Sequence, residues 1–574
     1  MKDYSVFSRF SGLSGVHKNR YTRWRYTQRP KAVKPRAARL TPMSSLLLLF
    51  VAQQSLGSRL SSALFDDTFS GIYRLSPFDW AMLVPYFGIL GILSVYGLHR
   101  YHTMRVYRKF RKNLPVSAPQ EFSQLPRVTV QLPLYNERFV VERLLEEVVK
   151  LDYPRELLQI QVLDDSTDET HPFTERLCNE YIAAGFPLEY RHRTNRHGYK
   201  AGALQEGLET ATGELIAIFD ADFIPPTDFL KKTVHYFTDA GVGVVQTRWT
   251  YLNREFNILT QVEAMLLDAH FVLEHGARCG SGLFFNFNGT AGVLRRAMID
   301  DAGGWQHETL TEDSDLSYRA QLKGWRFVYV KDVECPSELP VETYGFQVQQ
   351  ARWAKGLTQV CKKLLPRILK ADLPLRVKVE AFMHLTPNIS YPMMIVVSML
   401  MLPVMIVRFY MGVFQMVLID FPLIVASFWS ISAFYLYAQK VLYPKSWWKM
   451  IAFLPMLMAA GVALTVSNSK GVIEAILGIQ TSFARTAKYG TGQLRASKSA
   501  YKRKSGWLPY AELAIGAYFV YMVDFAIETM NYFALPFLML FVCGYLWAGF
   551  TTLYQEYQDK LQWQRAQNMV ETES

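Results

Sequence analysis

Cysteine is scarce in this chain of 574 residues: there are five, an odd number, and no two form a Cys-x-x-Cys pair. That excludes a disulfide framework or a zinc knuckle as the organising element and fits a reducing compartment. Charge is thin as well, at 20% of residues against 50% hydrophobic and 14% aromatic, where soluble domains carry roughly a quarter charged. The same figures exclude a disordered or collagen-like chain. No Gly-x-Gly-x-x-Gly or Walker A pattern follows the first strand, which argues against a dinucleotide enzyme or a P-loop ATPase. The N-terminus does not read as a cleavable secretory signal either, because its basic stretch is too long.

Acidic residues are almost missing from the first 41 positions. Eleven Lys or Arg stand there against one acid, Asp3, which is +10 of the net +12. Beside apolar segments such an arm marks the cytoplasmic face of a membrane rather than a nucleic-acid site. Long apolar runs are abundant. Trp80–Leu98, Leu385–Val407, Phe421–Gln439, Met450–Ser469, Leu508–Ile527 and Met530–Gln555 are each long enough to span a bilayer as a helix, and Leu40–Ser58 is marginal. The chain therefore reads as a multi-pass integral membrane protein with the lipid bilayer as its surroundings.

Basic loops set the orientation. Arg100 to Lys112, Lys440 to Lys449 and Arg485 to Lys504 place the hydrophilic block at residues 113–375 in the cytoplasm. Three apolar segments separate that block from the basic loop after Arg485, so one of them must not cross. Met450–Ser469, interrupted by Pro455 and Gly461 and ending in polar residues, is expected to lie along the interface. By the same parity Leu40–Ser58 is expected to cross. The layout is then a basic arm (1–39), two helices (40–98), the block (113–375), membrane helices with an interface helix (376–470), a cytoplasmic loop (471–506), two more helices (507–555) and a tail (556–574). The host membrane is bacterial inner membrane, or Golgi or plasma membrane in a eukaryote.

Within the block, apolar runs of strand length alternate with helical patterns. Strands are expected at residues 127–135, Leu158–Leu163, Leu188–His192, Glu214–Phe219 and Val242–Tyr251, and helices at Glu137–Lys150, Lys200–Thr210 and Ser314–Lys323. This is an α/β class, with a mostly parallel sheet that binds ligands at the carboxyl ends of its strands. Two acidic pairs stand at such ends: Asp164-Asp165, and Asp220 with Asp222. An Asp-x-Asp occurs about once by chance in this length. At the end of the apolar strand Leu215–Phe219, however, carboxylates need a cation or hydrogen bonds to offset burial, and a hard divalent ion on a diphosphate needs one or two of them. A solvated turn is the plainer alternative.

Thr311-Glu312-Asp313 opens a helix. Thr311 suits an N-cap and the acids suit the helix dipole, while a carboxylate held at that place could also serve as a general base. Gln349, Gln350, Arg352 and Trp353 lie on an amphipathic helix leading to the membrane, with Gln349, Arg352 and Trp353 on one face. Arg suits phosphate oxygens and an indole offers a flat face for a sugar. A membrane-surface anchor would have the same composition.

In order and spacing, "LPLYNE" (Leu132–Glu137), "LDDS" (Leu163–Ser166), "KAGAL" (Lys200–Leu204), "DAD" (Asp220–Asp222), "TED" (Thr311–Asp313) and "QQARW" (Gln349–Trp353) resemble the motifs of the membrane-embedded processive glycosyltransferases of family 2. That family includes cellulose synthases and the cellulose-synthase-like glucan and mannan synthases, and the resemblance spans about residues 126–490. It implies a nucleotide-sugar-binding, GT-A-like domain inserted between transmembrane helices. Tyr135, Glu137 and Asp164 or Asp165 would hold the nucleoside in the catalytic centre, Lys200 would lie near the nucleotide, and Asp220 and Asp222 would bind Mg2+ or Mn2+. Asp313, with Thr311 and Glu312 beside it, would take the acceptor proton. Gln349 and Arg352 would stabilise the leaving diphosphate, and Gln350 and Trp353 complete the acceptor platform. A gating loop would correspond to Phe483, Thr486 and Lys488, with Arg485 where the family has Val. The implied activity is a processive, inverting transfer of hexose to a growing polysaccharide, which the chain's own spans translocate, with accessory export subunits possible as partners. UDP-glucose is the first expectation for the donor and GDP-mannose the second. Single transfer to a lipid acceptor and a non-enzymatic export scaffold are the alternatives.

Overall fold

The computed structural model describes residues 74–409, 422–481, 488, 490, 506–529 and 531–573. Seven strands form one sheet: β1 (Val128–Leu134), β2 (Leu158–Asp164), β3 (Leu188–His192), β4 (Leu215–Ile218), β5 (Val242–Tyr251), β6 (Gly292–Arg295) and β7 (Arg326–Ser337). Their order is β3-β2-β1-β4-β6-β5-β7. Every pairing is parallel except those of β6, which runs antiparallel to both β4 and β5.

All seven residues of β1 are buried, as expected of a central strand covered on both faces. Side chains alternate between the two layers. Leu215 and Ala217 of β4 enter one apolar core with Val130, Leu132 and Phe219. Ile216 and Ile218 enter the other, with Leu204, Leu294 and Leu316. Register brings Val128 level with both Leu158 and Leu215, so that Leu134 ends beside Asp164. The carboxyl ends of β1, β2 and β4 thus open on the same edge.

The mostly parallel sheet expected from the sequence is present, with two additions: β6 and β7 were not among the expected strands. β6 offers only Val293 and Leu294 between Gly292 and Arg295, so no apolar run marks it. The helix expected at Glu137–Lys150 is shorter, at Val141–Val148. Asn136 turns the chain with φ 54° and ties the loop after β1 to the loop after β2. Its N–H donates to Ser166 Oγ at 2.8 Å and its Oδ1 accepts from Thr167 N–H at 2.8 Å.

Among the described residues, five helices flanking this domain are long and apolar enough to cross a membrane: Pro77–Asn113, Pro387–Phe409, Trp447–Leu477, Leu508–Glu528 and Leu535–Leu561. Met450–Ser469, expected along the interface, falls inside the third. Phe421–Gln439, expected to cross, is not among the five; its described part is a helix, Ser430–Leu442, preceded by a π turn, Val425–Trp429. Leu40–Ser58 and the basic arm lie outside the described residues.

Candidate active site

Strand β4 ends at Ile218, and the next residues carry Asp220 and Asp222 into the open edge of the sheet. Asp220 accepts from Lys200 Nζ at 2.5 Å, while its backbone N–H donates to Thr290 Oγ1 at 2.8 Å. Lys200, in the first turn of the helix Tyr199–Thr210, also donates to the Gly289 carbonyl at 2.9 Å. Asp222 is buried and forms an ion pair with Lys488. Each acid of the pair therefore faces an ammonium group, and neither is a plainly solvated turn residue.

Asp313 reaches the same place from another direction. It sits in the first turn of the helix Glu312–Leu322. A methyl group added at Gly289 would lie 3.0 Å from Asp313 Oδ2 and 3.5 Å from Lys200 Nζ. Gly289 holds φ +82°, so only glycine combines that backbone with that clearance. The Asp313 carboxyl is pushed up to about 7, first by burial and then by the neighbouring Glu312, against the pull of Ser314 N–H and Lys200. Glu312 is raised too, first by burial, against the pull of Lys200. Lys200 is held in its charged form: burial alone would lower it, but Asp220, Glu312 and Asp313 together outweigh that. The expected N-cap differs in detail. Thr311 occupies the cap position without a side-chain cap bond, and Asp313 Oδ1 instead accepts from Ser314 N–H at 2.6 Å.

The helix Thr343–Lys370 carries Gln349, Gln350, Arg352 and Trp353, all half-buried. Arg352 feels Glu312, Asp220, Asp313 and Glu137 electrostatically, although burial dominates and lowers it. Two contacts press this helix against the start of the Asp313 helix. Gln359 Oε1 accepts from Leu310 N–H at 2.9 Å. At Gly356 an added Cβ would stand 2.5 Å from Thr311 Cγ2 and 2.9 Å from the Thr311 nitrogen. Gly356→Ala should therefore push Thr311–Asp313 away from Arg352. We expect a loss of about 10²-fold in turnover, the scale of an ångström-sized misplacement, measurable as kcat with folding followed by thermal melting.

The residues expected on the nucleoside side are placed differently. Asp164 is fully buried at the end of β2, accepting from Ser166 N–H and Tyr190 O–H at 2.8 and 2.7 Å. Asp165 is gripped by Arg193 through two bonds of 2.7 and 2.6 Å, and burial raises its carboxyl against that pairing. Arg196 stacks over the Tyr135 ring, 3.2 Å from its centroid. Asp313, Glu312, Asp220, Lys200 and Arg352 are thus gathered at one point, with Glu137 within electrostatic reach. Asp164 and Asp165 stand in their own hydrogen-bonded groups at the neighbouring strand end.

A family model described as "Glycosyltransferase like family 2" matches residues 126–356, the stretch that contains all of these groups. Residues 126–356 form a family 2 glycosyltransferase domain. The chain is 46% identical over 250 residues to a probable glucomannan 4-beta-mannosyltransferase 11 of Oryza sativa subsp. japonica, covering 43% of this chain and 44% of that protein. It is 41% identical over 253 residues to a glucomannan 4-beta-mannosyltransferase 2 of Arabidopsis thaliana, covering 43% and 47%. The aligned part is about half the length of these curated relatives. Among solved structures, a mannosyltransferase of Pyrobaculum calidifontis in complex with GDP-Man and Mn2+ aligns at a TM-score of 0.46 with 23% identity, covering 63% of this chain and 99% of that one.

Within the glycosyltransferase domain, Asn286–Ala291 was not singled out from the sequence, yet it forms a wall of the site through Gly289 and Thr290. The Asn288-Gly289 pair was the available signal, since such dipeptides mark turns with a positive φ. Arg193 and Arg196 were likewise unmarked. Phe483 and Thr486 lie outside the described residues; Lys488 meets Asp222. Among the described residues no group of three or more His, Cys, Asp or Glu could hold a metal. Asp220 and Asp222 nevertheless fit a hard divalent cation that completes its shell with diphosphate oxygens and water. The ammonium groups of Lys200 and Lys488 already show that this spot attracts positive charge.

Proposed function

We propose that this chain is a membrane-embedded β-mannan synthase, an inverting hexosyltransferase that moves mannose from GDP-mannose onto a growing β-linked chain. The convergence of Asp313, Glu312, Asp220, Lys200 and Arg352 from four separate motifs carries the transferase reading. The sugar is supported by the relatives, which are mannosyltransferases; the first expectation from the sequence, UDP-glucose, gives way to GDP-mannose. In this reading Asp313 accepts the proton of the attacking acceptor hydroxyl, and its raised affinity for protons matches that task near neutral pH. Lys200 and Arg352 offset the charge of the departing diphosphate, and Gln349 stabilises it by donating hydrogen bonds. Asp220 and Asp222 would hold Mg2+ or Mn2+, which when bound supplies further positive charge to the diphosphate. Tyr135, with Arg196 stacked on it, and Glu137 border the nucleoside, while Trp353 and Gln350 face the acceptor sugar.

Orientation and export are part of the proposal. The basic loops place the glycosyltransferase domain on the cytoplasmic side. Gln439 and Tyr443 bond Arg254 of that domain, Gln261 meets Met450, and Lys355 meets Glu474, which supports Phe421–Gln439 as a crossing segment and Met450–Ser469 as one that lies along the domain. Export of the growing chain through the spans follows from the resemblance to the processive synthases of this family.

The test is to incubate membranes containing the chain with labelled GDP-mannose or UDP-glucose and digest the product with linkage-specific hydrolases. A β-mannanase-sensitive polymer from GDP-mannose is expected; a polymer made solely from UDP-glucose would overturn the sugar assignment. The pH profile checks the base. A group at about 7 must lose its proton to act, so kcat/KM should rise about tenfold per unit below pH 7 and level off above it. An ordinary Asp, near 4, would leave a flat profile from pH 5 to 8.

A further inference from the structure

The wall segment Asn286–Ala291 presents three groups to the site: the Gly289 carbonyl to Lys200, Thr290 Oγ1 to the Asp220 N–H, and the Gly289 Cα to Asp313. Its own position is set by Asn288, whose N–H donates to Gln246 Oε1 at 2.8 Å. The Asn288 side chain lies between two histidines. His275 Nε2 is 3.0 Å from the Asn286 carbonyl and 2.8 Å from Asn288 Oδ1. A carbonyl only accepts, so Nε2 of His275 carries the proton, while its Nδ1 has no partner among the described residues. Asn288 Oδ1 is therefore the acceptor, and Asn288 Nδ2 must donate to His270 Nε2 at 2.9 Å. That leaves the proton of His270 on Nδ1, which faces Glu274 Oε2 at 3.0 Å. Each group in the sequence Glu274–His270–Asn288–His275–Asn286 has one compatible role.

The backbone explains how two histidines five residues apart can hold one amide. In an α-helix such residues lie about 140° apart around the axis, at ~100° per residue. His270–His275 is instead a π turn, inserted between the α-helices Ile258–Ala269 and Gly276–Ser281. Its wider i→i+5 winding returns the chain to nearly the same face after five residues, and the two imidazoles lie with ring centroids 4.4 Å apart. Glu274 is braced in turn. Arg278 approaches it at 3.5 Å and bonds Glu380 at 2.9 Å, and Glu380 meets His99 of the helix Pro77–Phe110 at 2.9 Å.

Resting on the transferase reading above, we infer that His270 and His275 are positioning residues. Through Asn288 they fix the Gly289–Thr290 wall against which Lys200, Asp220 and Asp313 are aligned, and the π turn exists to bring them together. Neither imidazole touches the groups placed in the reaction; both act at one remove.

Kinetics on the full-length chain with GDP-mannose as the donor would test this. His270→Leu and Asn288→Ser should each lower kcat by about 10²-fold, the cost of a small misplacement of reacting groups, with the donor KM within about 3-fold of the unaltered chain. His270→Gln, which retains one acceptor and one donor, should recover about tenfold of the His270→Leu loss. A role confined to packing predicts the reverse: a lowered melting temperature, an unchanged kcat in the folded enzyme and no advantage of Gln over Leu. Either of the last two results overturns the inference. If His270→Leu does not yield folded protein, Asn288→Ser, which adds no bulk, decides. An unaltered chain that transfers neither mannose nor glucose would sink the transferase reading and this inference with it. A normal kcat in the variants of an active chain sinks the inference alone.

Discussion

Asp313→Asn is expected to lower sugar transfer by about 10²–10⁴-fold, the range general-base catalysis commonly contributes, while GDP binding stays within about 3-fold of the unaltered chain. The amide matches the carboxyl in size and can still accept from Ser314 N–H, so the helix start should hold. It has no basic oxygen with which to take a proton. The loss should fall on kcat, because the groups proposed to grip the diphosphate, Lys200, Arg352, Asp220 and Asp222, are untouched. Burial raises Asp313 to about 7, so the carboxylate is both available and basic near neutral pH. Normal polymer yield from the Asn variant would remove Asp313 from the mechanism.

Removal of divalent cations should be nearly as severe. Treatment with a chelator is expected to reduce transfer by about 10²-fold or more, since a bound metal commonly supplies several kcal/mol of charge stabilisation and each 1.36 kcal/mol is tenfold. Mn2+ or Mg2+ should restore activity. Asp222→Asn should raise the metal concentration needed for half-maximal rate, because Asp222 is buried and holds one of the two carboxylates available. Donor binding should weaken along with turnover, in contrast to Asp313→Asn, and that difference separates the two roles. Transfer that survives chelation would instead assign charge neutralisation to Lys200 and Lys488, which face Asp220 and Asp222.

Strand ends were the most legible feature of the site. A run such as Leu215–Phe219 must be buried, and acids directly after it can stand only at an open edge, so local composition alone puts Asp220 and Asp222 there. Most of the sheet followed for the same reason: β1, β2, β4 and β5 are apolar runs whose burial shows in composition. β6 and β7 were missed. β6 has just two apolar side chains, Val293 and Leu294, between Gly292 and Arg295, and its antiparallel pairing with β4 and β5 depends on partners distant in sequence. Asp164 and Asp165 show the opposite error of emphasis. They stand at a strand end like Asp220, but Tyr190 and Arg193 satisfy them, and nothing local announces those partners. The two acids of Asp313-Ser314-Asp315 part in the same way: Asp315 is taken up by Arg319 at 2.7 Å and Lys363 at 3.0 Å, whereas Asp313 faces the Gly289 wall.

The sequence by itself determined the membrane character, the α/β class and the residue types of the site. These depend on apolar length, local period and short motifs, all of which are properties of neighbouring residues. Only the tertiary structure decided which carboxylate is gathered with Lys200 and Gly289, that Gly356 and Gly289 provide the close approaches, and that a π turn aims two histidines at one asparagine. Those outcomes depend on contacts between elements tens to hundreds of residues apart, and burial in the resulting interior sets the proton affinity of Asp313.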